Sequence, residues 1–217
     1  MAFTNFQIEK IRKMLTELER KSALGRNTKK PSANLQGNSL IISPQLFDYI
    51  REFNLPIVLQ DETDENIENY EKCAFSVKMV NFVDNYLNKA TGAELLQALT
   101  TPGHYVFADS VRKLPVSETI LYALNIITPE EYRVATKATY KLNAVLRTFF
   151  ERRNCELISL LVKFLKKENK LFIDGRFHFS DIRVLSAATS ATVKKFISEE
   201  SGLQSIEYNE FLNKVLE

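Results

Sequence analysis

The sequence predicts an α+β fold in which an antiparallel sheet packs with one long helix and is preceded by an N-terminal helix. Three observations predict it. Thr128-Pro129-Glu130-Glu131 places a cap, a proline and a capping carboxylate at the positions where a helix start has free N–H groups. Ala135, Ala138, Leu142, Val145, Leu146 and Phe149 then recur on one face and carry that helix to about Arg153. Two β-rich runs follow, Leu157–Leu165 and Lys170–Ile173, parted by the polar Lys166-Lys167-Glu168-Asn169, which is the signature of a hairpin.

The other elements follow in chain order. Thr4-Asn5-Phe6-Gln7 reads as a capping box, and Ile11, Met14, Leu15 and Leu18 form an apolar stripe that ends at Gly25. Residues 26–39, with Pro31 and Gly37, are polar and read as a linker. Ser43-Pro44 opens a second helix with Leu46, Phe47 and Ile50 inward. Leu55 to Leu59 reads as a strand after a turn at Asn54, and Asp61 to Glu68 as a solvated acidic turn. Ala74 to Phe82 is strand-like, Gly92 to Leu99 a short helix, and 189–199 and 207–216 close the chain as helices. The domain organisation is thus 1–36, a basic amphipathic helix with its linker, and 37–217, one α+β domain. No repeat or low-complexity segment interrupts it.

Composition narrows the classes. The chain has 217 residues, 45% of them hydrophobic, with fifteen Phe and eight Tyr, which is ample for a core and excludes general disorder. A formal net charge of +2 favours no polyanionic partner, although residues 1–30 hold eight Lys/Arg against three Glu. Cys73 and Cys155 stand far apart in apolar runs and read as free thiols of a reducing compartment rather than a disulfide. No apolar run reaches the length of a membrane span and none forms a leader at the start, so a cytoplasmic, intracellular protein without a membrane partner is expected.

Chemistry-bearing motifs are scarce. Walker, GxGxxG, CxxC and HExxH patterns are missing, and His104 and His178 have no neighbouring ligands at metal spacing, so no metal and no cofactor are expected. Lys10, Arg12, Lys13, Arg20, Lys21, Lys29 and Lys30 are the interaction candidates, able to meet phosphate, an acidic partner or an anionic surface. The same helix could equally pack its stripe and leave its cations in water. Lys163, Lys166, Lys167 and Lys170 around the hairpin read as a solvated turn.

The order of segments carries a family resemblance. Gly37-Asn38-Ser39-Leu40 with the helix through Ile50, Asn54-Leu55-Pro56, the stretch 74–92, Leu121-x-x-x-Asn125-Ile126-Ile127-Thr128 and Lys141-Leu142-Asn143-x-Val145-Leu146-x-x-Phe149-Phe150 resemble, in that order, segments of SAICAR synthetases. Leu157-Ile158-Ser159-Leu160-Leu161-Val162-Lys163-Phe164 falls where that family writes Asp-Phe-Lys-x-Glu-Phe-Gly. The resemblance covers about 37–187 and implies the family's C-terminal lobe.

Carried over position by position, the family's functional residues are mostly replaced. The strand Lys and Glu that face nucleotide and metal become Leu161 and Lys163, and the following Asp-Glu metal pair is met by Asp174, Gly175 and Arg176. The substrate segment's Glu and Arg fall at Ser76 and Val80, and the phosphate-holding Gly-Ser at Asn85-Tyr86. Asp109 matches a family Asp, whose His-Asp neighbour becomes Arg112-Lys113, and Arg183 with adjacent Asp181 matches a family Arg. The Lys-Gly-Lys phosphate cradle of the family's first lobe has no counterpart. Phosphoryl transfer depends on positioned cations and metal, so a Lys in place of a metal-binding carboxylate reverses the electrostatics.

The resemblance therefore implies a pseudoenzyme, a non-catalytic SAICAR-synthetase-like interaction module whose partner is another protein or a nucleotide-derived ligand in what remains of the cleft. A composition rich in Lys, Asn and Ile is compatible with a phage, other viral or mobile-element origin. Two alternatives stay open. One is an active enzyme of altered chemistry in the remnant cleft, using Asp109, Asp174, Asp181 and Arg183. The other is a nucleic-acid-binding protein using the basic N-terminal helix. Oligomeric state is left undetermined.

Overall fold

A computed structural model describes residues 44–58, 69–108, 114–178, 180–186 and 212–216, all within the unit Ser39–Glu217. The elements are α1 (Pro44–Arg51), β1 (Ile57–Val58), β2 (Glu71–Phe82), α2 (Asn85–Thr91), β3 (Ala98–Ala108), β4 (Pro115–Val116), α3 (Glu118–Ala123), α4 (Pro129–Glu151), β5 (Cys155–Lys167), β6 (Lys170–Asp174) and β7 (Ile182–Ser186). Residues 212–216 are helical. The N-terminal helix, its linker, the acidic turn 61–68, the stretch 189–199 and most of 207–216 lie outside the described residues, as do Asp109 and the seven N-terminal interaction candidates.

The strands form one sheet in the order β1-β6-β5-β2-β3-β4, and β7 pairs with the first half of β5 beyond the end of β6. Every pairing is antiparallel except β1 with β6, where Ile57 and Val58 run parallel to Ile173 and Asp174. The expected antiparallel sheet thus gains one parallel edge. Helix α4 lies on one face, as expected. Its stripe of Ala135, Leu142, Leu146, Phe149 and Phe150 is buried against Val77, Met79, Leu160 and Val162 in a single core. Burying each large side chain of this stripe contributes about 1.5–3 kcal/mol.

The helix begins where the sequence predicts. The Thr128 hydroxyl accepts from the Glu131 N–H at 3.2 Å, and the Glu131 carboxylate accepts from the Thr128 N–H at 2.9 Å. Each helix from α1 to α4 ends within a few residues at a left-handed position: Asn54 (φ 46°), Gly92 (φ 74°), Asn125 (φ 53°) and Asn154 (φ 55°). Asparagine tolerates this conformation because its short polar side chain bonds locally.

Four expectations need correction. The short helix is Asn85–Thr91, not Gly92–Leu99. Asp84 caps it through the Leu87 N–H at 3.0 Å, and Gly92 ends it by donating to the Asn88 carbonyl at 2.8 Å. Gly92 is a stop there and not a start. Second, Ala98–Ala108 is a long strand that the Thr-Thr-Pro-Gly run disguised. Val80 pairs with Gly103 and Phe82 with Ala98, so four residues, Leu99 to Pro102, stand opposite Asn81 alone. Pro102, which has no N–H to give a ladder, falls inside this irregular stretch. Third, the hairpin turn is only Glu168-Asn169, at φ 49° and 61°, the two left-handed residues of a primed turn. Fourth, the lysines beside it are not all solvated: Lys166 bonds the Glu131 carboxylate of α4 at 2.6 Å and Lys163 is also paired. Among the described residues no helix is long and apolar enough to cross a membrane.

Candidate functional site

Strand alternation divides the sheet into two chemically different faces. Val77, Met79, Asn81 and His104 point toward α4: Asn81 bonds Asn143, and His104 bonds Tyr132 and Tyr140. Register then assigns the opposite face. Lys78 stands beside Tyr105 on β3 and Leu161 on β5, Ser76 beside Lys163, and Ser159 beside Arg183 of β7. Leu161, Lys163, Ser76 and Val80, the positions at which the sequence resemblance sets family functional residues, thus share this face with Arg183.

Two carboxylates meet this part of the sheet, Asp174 from the end of β6 and Asp181 from the segment between β6 and β7. This chain crosses from one neighbour of β5 to the other, and the Leu161 N–H donates to the Asp181 carbonyl at 2.7 Å where the switch occurs. The Asp181 side chain is 5% exposed and accepts from Lys163 Nζ at 2.8 Å and from the His178 N–H at 2.9 Å. Asp174 is held more tightly still. Its Oδ1 accepts from the Arg176 backbone N–H and Nε, at 3.1 and 2.7 Å, and its Oδ2 from Nη2 at 2.6 Å. That is the bidentate geometry in which Arg–carboxylate pairs are strongest.

A third ionic group was not foreseen from the sequence. Lys78 and Asp84 form a buried pair at 2.8 Å, with side chains 11% and 7% exposed. Tyr105 donates to the other Asp84 oxygen at 3.2 Å, and its ring lies 5.9 Å from Lys78 Nζ. Burial alone works to raise the Asp84 carboxyl, but the Lys78 charge and hydrogen bond, with the Leu87 N–H and Tyr105, outweigh it and hold it below its ordinary 3.8. The available signal was a Lys in the middle of an apolar strand two residues after Ser76, followed by the cap-forming Asp84. Exposed Tyr86 extends this group, its ring edge-on to Tyr105 at 5.1 Å.

Of the sequence-predicted cleft residues, Asp181 and Arg183 come to the β5–β7 side of this face. Asp174 ends β6 and is tied to its own loop, and Asp109 lies outside the described residues. A Mg²⁺ ion holding nucleotide phosphates needs carboxylate oxygens free to coordinate it. Asp174 has both oxygens on Arg176, Asp181 has an ammonium on Oδ2, and Lys163 brings a cation where the resemblance has a carboxylate. Among the described residues no three His, Cys, Asp or Glu cluster at metal-holding distance. This donor set does not fit Mg²⁺-nucleotide.

His178 meets this face through its backbone N–H on Asp181, whereas His104 lies on the other side of the sheet. His104 faces α4, and Cys73 and Cys155 are both free, Cys155 buried and Cys73 half-buried. Burial, with Glu131 beside it, pushes the Cys73 thiol up to about 11, so it is no nucleophile at neutral pH.

No protein-family model and no curated protein matches the sequence. Solved structures do match. A SAICAR synthetase from Pyrococcus horikoshii OT3 is similar over 78% of this chain and 77% of its own, with a TM-score of 0.64 and 15% identity. Phosphoribosylaminoimidazole-succinocarboxamide synthase from Ehrlichia chaffeensis is similar over 78% and 76%, with a TM-score of 0.61 and 14% identity. A SAICAR synthetase in complex with ADP is similar over 78% and 75%, with a TM-score of 0.65 and 15% identity. At such identities the likeness is one of fold. The chain accordingly has the SAICAR-synthetase fold, and its candidate site is the charged sheet face turned away from α4.

Proposed function

We propose that this protein is a pseudoenzyme: a binding module on the SAICAR-synthetase fold that has lost ATP-dependent ligation and works by contact with another protein. The carrying observation is the Lys163–Asp181 pair. A cation stands where the resemblance has a metal-facing carboxylate, and the nearby carboxylate neutralises that cation instead of a metal. The Asp174–Arg176 pair supports the same reading, since it ties up the remaining candidate ligand. Preorganised charge is the main means by which phosphoryl transfer is catalysed, and here the charges are committed to one another. A net charge of +2 favours a protein over a nucleic acid as partner.

One structural neighbour was solved with ADP bound, so the direct test is nucleotide binding. Isothermal titration of the full chain with ATP–Mg²⁺ and ADP–Mg²⁺ should show no metal-dependent heat, and a ligase assay with the family's substrates no turnover. Micromolar, metal-dependent binding would overturn the reading. Retardation of RNA or DNA at low salt would favour a nucleic-acid partner over a protein.

A further inference from the structure

A second polar assembly lies on the α4 side of the sheet, away from the candidate site. His104 on β3 has one phenol at each ring nitrogen: Tyr140 at 3.2 Å from Nδ1 and Tyr132 at 2.9 Å from Nε2. Tyr140 also reaches the Pro102 carbonyl at 3.2 Å, and Tyr132 the Glu118 carboxylate of α3 at 3.5 Å. The chain of contacts therefore runs from exposed Glu118 through Tyr132, His104 and Tyr140 to Pro102, in the irregular stretch of β3.

Each hydroxyl has one proton to give, and this decides the arrangement. The Pro102 carbonyl can only accept, so the Tyr140 proton goes to it, and the Tyr140 oxygen must accept from His104 Nδ1–H. Nε2 is then the unprotonated nitrogen and accepts from Tyr132. The reverse arrangement turns Tyr140 toward Nδ1 and leaves the half-buried Pro102 carbonyl without this donor, while satisfying Glu118. The Pro102 contact is the shorter, 3.2 Å against 3.5 Å, and Glu118 is exposed, so water replaces the Glu118 bond more readily than that of the half-buried Pro102 carbonyl.

We propose that this chain is a proton-operated latch between β3, α4 and α3. Neutral His104 is held as the Nδ1–H tautomer with Tyr132 turned inward. A proton from solvent taken up on Nε2 makes that nitrogen a donor to the Tyr132 oxygen, and the Tyr132 proton turns to Glu118. Acid thus exchanges an inward bond for one that ties α4 to the start of α3.

The groups around the ring are consistent with this coupling. β2 presents Met79 opposite His104, and β4 has no charged residue. α3 brings Glu118 and Tyr122, and Tyr122 is edge-on to Tyr132 at 6.0 Å. On α4, Glu130 and Arg133 pair with each other, Glu131 pairs with Lys166, and Lys137 and Lys141 are exposed. Burial holds the imidazole below its ordinary 6.5, and the Glu118 charge pulls the other way.

The test is a two-bond ¹⁵N–¹H correlation spectrum of the full chain labelled at histidine. His178→Gln assigns the signals, since the chain has two histidines. At neutral pH His104 should show the Nδ1–H tautomer, which is the minor form of free histidine. An Nε2–H pattern would overturn the proposal. Glu118→Gln, an exposed and conservative change, should shift the His104 titration midpoint downward and leave that of His178 in place. An unmoved His104 midpoint would refute the coupling to α3.

Discussion

Replacing Asp84 by Asn isolates the buried ion pair of the candidate face. Asparagine caps helices about as well as aspartate, so the bond from the Leu87 N–H survives and α2 keeps its start. What disappears is the charge opposite Lys78, whose ammonium, 11% exposed, loses its carboxylate partner at 2.8 Å. Removing one partner of a buried pair costs about 3–5 kcal/mol, against roughly 0–1 for an exposed pair such as Glu130–Arg133. Urea denaturation at pH 7 should therefore show Asp84→Asn destabilised by about 3–5 kcal/mol and Glu130→Gln nearly unchanged. The double variant Lys78→Met/Asp84→Asn removes both charges and should regain most of the loss, because well-packed apolar replacement of a buried pair is often neutral. A double variant no more stable than Asp84→Asn, or a single variant as mild as Glu130→Gln, would refute the claim that this pair is desolvated.

Three further outcomes follow from the same geometry. Asn81 and Asn143 exchange amide bonds at 2.9 and 3.0 Å, and Asn81 also donates to the Leu157 carbonyl at 2.9 Å. Asn143→Ala should cost roughly 2–4 kcal/mol by orphaning buried groups, Asn81→Ala at least as much, and a double-mutant cycle should show strong coupling. Glu168 sits at φ 49° in the hairpin turn, so Glu168→Gly should raise the urea midpoint by the equivalent of about 0.5–1 kcal/mol, and no gain would mean that the turn is not primed. Stability should also fall with acid in two steps. The folded His104 value lies below 6.5, so its contribution is present above 6.5 and lost as pH drops through the folded value. The Asp84 value lies below 3.8, so its contribution is lost lower still. His104→Gln should remove the first step and leave the second.

The parts of the fold legible in the sequence are those where several local signals agree. At α4 the cap, the proline, the capping Glu131 and the apolar stripe all name the same start and face, and the hairpin β5–β6 has two apolar runs with a polar break. The illegible parts are those where local chemistry contradicts the tertiary outcome. β3 contains a Pro and a Gly within five residues, yet pairing with β2 over Phe75–Val80 outweighs them and collects the misfit opposite Asn81. At Gly92 the residue type was right and its direction wrong: glycine permits a left-handed end as readily as a loop before a start, and only Asp84, eight residues earlier, decides between them.

The candidate site was legible in one respect and hidden in another. The sequence resemblance implies which carboxylates and cations are replaced, but not what the residues at those places do to each other. Lys163 and Asp181 are eighteen residues apart, and they meet because β6 and β7 follow one another along the same edge of β5 and the chain between them passes beside Leu161. An isolated carboxylate at Asp181 would cost desolvation. The demand is one-sided: Asp181 is 5% exposed and needs a cation beside it, whereas the Lys163 side chain is 40% exposed and can also reach water. The two positions are therefore physically one feature. Asp181 cannot be counted as a surviving ligand while Lys163 remains, and restoring a carboxylate at Lys163 alone would set two negative charges face to face. Lys163→Glu should destabilise the protein more than Lys163→Met does, with Lys163→Glu/Asp181→Lys recovering part of the loss. If Lys163→Glu proved the milder of the two single changes, the carboxylates would be open to a cation after all, and the pseudoenzyme reading would fail with them.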